Sequence, residues 1–170
     1  MDGTVGGGGH AEALLERAPA GSRLLGIDGD PDALARARTR LSPLGSRVVL
    51  RRGNMRELGA IAEAHGVSEA ETVLLDLGVS SLQLAASGRG FSFLRDEPLD
   101  MRFDPSQGRT AAELLASLSE AELTRILGEY GEEPHARRIA GAIVARRRRA
   151  PLVTTGNLVA AVKSALPRAA

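Results

Sequence analysis

The stretch MDGTVGGGGHA (residues 1–11), followed directly by EALLERA (12–18), decides the fold. Asp2 precedes five glycines within residues 3–9, and a helical pattern starts where the glycines end. Glycine at this density is costly to order. It is expected where the backbone turns with positive φ, or approaches another group more closely than a Cβ allows. Between a strand tip and a helix start, such a turn is a ligand-binding turn of α/β proteins.

Working outward, RLLGID (23–28) reads as a short buried strand. In DPDALARARTRL (30–41), Asp30 suits a helix cap and Pro31 the first turn, and Leu34, Ala37 and Leu41 share one face. RVVLRRG (47–53) reads as a second strand and 57–65 as a helix. TVLLDLG (72–78) reads as a third strand, continuously apolar as parallel strands covered on both faces are. This alternation predicts a doubly wound α/β sheet. Right-handed crossovers would gather three acids at one sheet edge: Asp2 before the loop, Asp28 and Asp76.

The pattern stops between residues 79 and 109, a length uncommon for a structureless loop. Helices then return. TAAE (110–113) and SEAE (119–122) both fit a capping box. Within 132–149, Ala136, Ile139, Ala140, Ile143 and Val144 form one apolar stripe, and a last helix is expected from Thr155 to Leu166.

Apolar residues are 43% and charged residues 25% of the 170, a globular composition. With three Phe, one Tyr and no Trp, the core must be aliphatic. The net charge of +1 gives no global field, so nucleic-acid affinity would need a local patch. The absence of cysteine excludes disulfides, thiolate catalysis and Cys-ligated zinc, and no metal site is expected. No apolar run approaches a membrane span, so a cytoplasmic location is the default expectation.

Two chemistries use such a loop. Gly6, Gly8 and Ala11 match G-x-G-x-x-A with Asp28 suitably downstream, as in nicotinamide-dinucleotide sites. S-adenosylmethionine (SAM) sites use a related loop with acids at successive strand ends, and the trio Asp2, Asp28 and Asp76 suits that scheme better. Asp28 read as a helix cap is disfavoured, because Asp30 is better placed to cap. His10 can serve through its backbone N–H alone.

The strings DGTVGGGGHA (2–11), GIDGDPDALARA (26–37), LLDLGVSSLQL (74–84), RGFSF (89–93), PLDMRFDP (98–105), AAELL (111–115), YGEE (130–133) and RRIAGAIVARR (137–147) carry a resemblance. In this order they resemble the bacterial small-subunit ribosomal RNA cytosine-N4 methyltransferases of the MraW/RsmH type, over essentially the whole chain. The resemblance implies an α/β fold, a Rossmann-like SAM-dependent methyltransferase sheet, here incomplete, with an all-α insertion domain. The expected domains are residues 1–103, the SAM-binding core, and 104–170, a helical insertion facing RNA. It implies methylation of the exocyclic N4 amine of a cytidine. Gly6, Gly8, Gly9, His10, Asp28, Met55, Asp76 and Gln83 then match cofactor-binding positions. For catalysis the expected acceptor of an amine N–H is Asp76, with the backbone carbonyls of Ser80 and Ser81 as competitors. Expected RNA contacts are Arg89, Phe91, Arg102, Arg146 and Arg147. The loop 84–109, with Phe93 and Arg95 as well, mixes cations and aromatics as base stacking and phosphate contact require. A lid packed by its own phenylalanines, and a solvated end to the helix at Arg146–Arg149, are the competing readings.

The chain departs from the family at Met55 and Val5, where Phe is usual, at Gly29, where Arg is common, and at Leu82, where Pro is usual. The resemblance also implies an internal fragment that lacks a first strand and later strands, and that alone binds SAM poorly. The expected partner is small-subunit ribosomal RNA; a homodimer is the expected form if the chain self-associates, and no membrane is expected. The readings from other classes are a nicotinamide-dependent oxidoreductase domain and a non-catalytic RNA-binding module.

Overall fold

The computed structural model describes residues 1–86 and 88–166. The chain divides into two compact units, Met1–Gly78 and Val79–Ala170. Residues 167–170 of the expected helical domain, Ser87 of the expected loop and the side chain of Leu82 lie outside the described residues.

In the first unit, α1 (Gly9–Arg17) precedes β1 (Leu24–Asp28), and α2 (Pro31–Leu41) leads through a 3₁₀ turn to β2 (Val48–Arg52). β1 and β2 pair in parallel, from Leu24 opposite Val48 to Asp28 opposite Arg52. The start of α2 follows from its sequence. The Asp30 carboxylate accepts the Asp32 N–H at 3.0 Å, Pro31 opens the first turn, and Leu34, Ala37 and Leu41 are buried. β1 is covered on both faces. Leu24 packs with Val5, Ala11, Leu15, Leu34, Ala37 and Leu41. Leu25 and Ile27 pack on the other side with Ala62 of α3 (Leu58–Ala64), beside Met1 and Val49. Helices on two faces of a parallel pair are the doubly wound arrangement in miniature.

The expected third strand, 72–78, contributes a single bridging residue, Leu74. Its neighbour in the sheet is the N-terminal segment, where the sequence reading expected a strand to be absent. Asp2 bridges in parallel to both Gly26 and Leu74. Its N–H donates to the Leu25 carbonyl at 2.9 Å, and its carbonyl accepts the Ile27 N–H at 2.8 Å. Leu74 N–H donates to the Met1 carbonyl, and Gly3 N–H to the Leu74 carbonyl. The lateral order is therefore β2, β1, Met1–Gly3, Leu74. This short ladder covers little of the 72–78 segment. Val73, Leu75 and Leu77 are exposed, where a strand buried on both faces was expected.

The second unit is helical: α4 (Ser81–Ala86), α5 (Ala111–Ser117), α6 (Glu120–Arg125) with a π-helical turn after it, α7 (Ala136–Arg147) and α8 (Thr155–Ala165). Its core joins Leu123, Ile139, Ala140, Ile143, Leu152 and Ala161. The two expected capping boxes are present, Thr110 with Glu113 and Ser119 with Glu122, and a third, Thr154 with Asn157, starts α8. Each lets the backbone N–H groups of a helix start be met locally. The α7 stripe is buried at Ala136, Ile139, Ala140 and Ile143, with Val144 packed at its margin.

The units divide at Gly78–Val79, whereas the sequence reading put the boundary between 103 and 104. The reason is long-range hydrogen bonding. Pro98 forms an antiparallel bridge with Thr154, and Glu97 N–H donates to Thr155 Oγ1 at 3.0 Å. Ala111 and Ala112 donate to the Asp100 and Leu99 carbonyls, and Leu99 is fully buried. Residues 88–103 thus belong to the helical unit although they carry no periodic pattern of their own.

Candidate functional site

The glycine loop leaves the sheet where Val5 N–H donates to the Ile27 carbonyl at 3.0 Å. The chain then turns through Gly6 at φ +52° and Gly8 at φ +84°, conformations that a side chain resists. A Cβ on Gly8 would also lie 3.1 Å from the Leu41 side chain of α2. Gly8 is the N-cap of α1, and no side chain caps that helix. The first-turn amides of Gly9 and His10 therefore present the positive end of α1, and both residues are exposed.

Three aspartates meet this loop. Asp28, at the tip of β1, accepts the Gly6 N–H through Oδ2 at 2.8 Å and the Asp30 N–H through Oδ1 at 2.9 Å. Each oxygen keeps a second lone-pair direction. Asp30 does the helix capping, as expected. Asp2 is 1% exposed; its Oδ1 accepts the Thr4 N–H at 3.0 Å, and its Oδ2 is buried with no hydrogen-bond partner. Burial pushes the Asp2 carboxyl above its ordinary value, against a smaller downward pull from the Thr4 amide and then from His10. Asp76 follows Leu74; its N–H donates to Thr4 Oγ1 at 2.7 Å, and its Oδ2 lies 3.6 Å from His10 Nδ1. Asp2, Thr4, Asp76 and His10 are therefore linked in series. A cleft of about 410 Å³ beside them is lined by His10, Ala13, Leu14, Arg17, Leu74, Leu75 and Asp76. Met55, 43% exposed, follows β2 in a turn capped by Asn54, and its Cβ would lie 3.6 Å from a Cβ placed on Gly3.

The structure thus brings together Asp2, Gly6, Gly8, Gly9, His10, Asp28 and Asp76. Thr4 was not anticipated: its link to Asp76 spans 72 positions, and no local pattern announces it. Asp2 is expected from the sequence as one of three acids at the sheet edge, and its burial with an unmet oxygen is what the structure adds.

The other candidates lie on the second unit. Ser80 N–H donates to Gln83 Oε1 at 3.0 Å, and Gln83 N–H donates to Ser80 Oγ at 3.2 Å. These two residues form a reciprocal cap at the start of α4, and Gln83 is buried. The Ser80 carbonyl accepts the Leu84 N–H at 3.1 Å, while Ser81 is exposed on the first turn.

The RNA candidates divide by environment. Arg89 donates to the Arg102 and Phe103 carbonyls, and its guanidinium stands 5.6 Å from the Phe91 ring centre. Phe91 packs on Phe103 at 5.4 Å between ring centres. Arg102 is paired with Asp100 at 2.6 Å, which holds the Asp100 carboxyl below its usual range. Arg147 donates to the Leu115 and Leu118 carbonyls, both at 2.6 Å. Arg146, Arg148 and Arg149 are exposed, as are Arg137 and Arg138 on α7. Among the described residues no group of His, Asp or Glu could hold a metal ion, and no helix is long and apolar enough to cross a membrane.

A family model described as the MraW methylase family matches residues 1–170. Three relatives, each named ribosomal RNA small subunit methyltransferase H, are similar over the full length of this chain. The protein of Geotalea uraniireducens is 48% identical, with 54% of its own length covered. That of Heliobacterium modesticaldum is 47% identical, with 55% covered, and that of Beutenbergia cavernae 51%, with 51% covered. The chain spans about half the length of these curated relatives. The family model spans residues 1–170, glycine loop and strand-tip aspartates included, and this chain belongs to the MraW methylase family.

Proposed function

We propose that this chain carries the SAM-binding half of an enzyme that methylates the N4 amine of a cytidine in small-subunit ribosomal RNA. The observation that carries the reading is the buried, unpartnered Oδ2 of Asp2 beneath an uncapped glycine loop. An uncompensated buried carboxylate is costly and is relieved by a cation. SAM is cationic at its sulfonium and at its α-ammonium, so the donor set of Asp2, Asp28 and Asp76 fits it in charge. A nicotinamide dinucleotide brings a pyrophosphate instead, and the family match gives that reading no support.

In this reading Gly6, Gly8, Gly9 and His10 hold the cofactor through backbone groups, Asp28 takes ribose hydroxyls, and Met55 packs its polarizable sulfur on the adenine. When bound, the cofactor supplies a methyl group activated on a sulfonium centre. The cytosine amine is a poor nucleophile because its lone pair is delocalised into the ring, so positioning and charge stabilisation carry the rate. Asp76 accepts one N–H of the amine, stabilises the positive charge that grows on nitrogen, and takes the proton that nitrogen must lose. Exposed Arg146, Arg148 and Arg149 at the end of α7 supply phosphate contact. A cytoplasmic location and, if it self-associates, a homodimer belong to the same reading.

Two measurements test it. Equilibrium dialysis at high protein concentration should retain labelled SAM weakly, as expected of this chain alone, and NAD not at all. Transfer of a tritiated methyl group to small ribosomal subunits should be abolished by Asp76→Ala. Retention of NAD, or wild-type transfer by Asp76→Asn, would refute the cofactor or the charge role respectively.

A further inference from the structure

The loop 91–97 of the second unit has fixed ends and a bare tip. At one end Phe91 packs on Phe103, and Gly90 N–H donates to Glu97 Oε2 at 3.0 Å. At the other, Thr155 Oγ1 donates to the Arg95 carbonyl at 2.7 Å, and Asp96 Oδ1 accepts the Gly156 N–H at 2.8 Å, which staples the loop to the start of α8. Between these anchors Leu94 N–H closes on Ser92 Oγ at 3.2 Å. Phe93 and Leu94 project from that turn at 78% and 84% exposure, the highest among the large apolar side chains described.

A ring held in water on a braced loop has little conformational freedom left to lose on binding. Two apolar residues are too few for a protein interface, which needs about 800 Å² per partner. They are also too few for a membrane-lying face, which needs an extended apolar stripe. Their size matches one unstacked base. Arg95 beside them is exposed and has no carboxylate partner among the described residues, which suits a neighbouring phosphate.

We propose that Phe93 and Leu94 form a wedge that stacks on an unpaired base of the RNA substrate, with Arg95 on the adjoining phosphate. This rests on the RNA reading above and assigns the stacking role to Phe93; Phe91 is the internal brace.

The chain has no tryptophan, so Phe93→Trp introduces a single reporter at the tip. Its emission is quenched by a short single-stranded oligoribonucleotide containing cytidine, and not by the same sequence in a duplex. Phe93→Ala with Leu94→Ala weakens single-strand binding roughly 10-fold and leaves the melting temperature unchanged. Arg95→Ala lowers the salt slope by about one phosphate contact. Wild-type RNA binding with an unquenched Trp, or equal losses on single strand and duplex, overturns the wedge and leaves the RNA reading standing. Failure of the unaltered chain to bind RNA in either form overturns both.

Discussion

Asp28 Oδ2 holds the amide of Gly6 at 2.8 Å, so the tip of β1 fixes the glycine loop before any ligand arrives. The same carboxylate holds the Asp30 amide, at the entrance to α2. Asp28→Ala leaves two backbone donors without acceptors, and a stability loss of about 1–3 kcal/mol is expected. Asp28→Asn keeps one acceptor oxygen and should lose less. Urea unfolding of the three proteins checks this; equal midpoints would show that the loop does not need the tether.

Asp2 gives a pH signature. A carboxyl raised by burial binds its proton more tightly in the folded than in the unfolded chain. Stability therefore falls as pH rises from the ordinary value of 3.8 through the raised folded one. Asp2→Asn keeps an oxygen for the Thr4 amide and removes the buried charge. The variant should be more stable than its parent at about pH 7, with the gap narrowing as pH is lowered. It should also lose affinity for SAM. Denaturation across pH, paired with dialysis, measures both; a gap independent of pH would show that the Asp2 charge costs the fold nothing.

Gly8 is required both for its left-handed backbone and for its closeness to Leu41. Gly8→Ala should cost about 1–2 kcal/mol from backbone conformation alone. Gly59→Ala is the control. Gly59 lies within α3 with open space around its Cβ position, and alanine there should stabilise by up to about 1 kcal/mol. Two substitutions of the same chemistry should thus move the urea midpoint in opposite directions.

The arginines at the end of α7 should separate by role. Arg147 bonds two carbonyls at the end of α5, so Arg147→Ala should destabilise by roughly 1.5–3 kcal/mol with little change in the salt dependence of RNA binding. Arg146→Ala, Arg148→Ala and Arg149→Ala combined should flatten that salt dependence and leave stability nearly unchanged. A steep salt slope surviving the triple change would place the RNA phosphates elsewhere.

The parts legible in the sequence were those governed by neighbours in the chain. Asp30 with Pro31, Thr110 with Glu113, and Ser119 with Glu122 each mark a helix start because cap and amide lie within one turn. The α2 and α7 stripes were legible because 3.6-residue periodicity records burial directly. The segment 72–78 misled for the converse reason: apolar continuity signals a strand able to be buried, while burial depends on what lies beside it, and among the described residues its hydrogen bonds run to the short segment Met1–Thr4.

The sequence by itself determined the α/β alternation, the loop that needs glycine and the acids available to it, because these depend on backbone sterics and spacing within a few residues. Only the tertiary structure decided that Asp2 is buried with an unmet oxygen, that Thr4 joins Asp76, and that Phe91 is packed while Phe93 is bare. Those outcomes turn on contacts between segments distant in the chain, where solvent exclusion, and not residue type, sets the chemistry of a carboxylate or a ring.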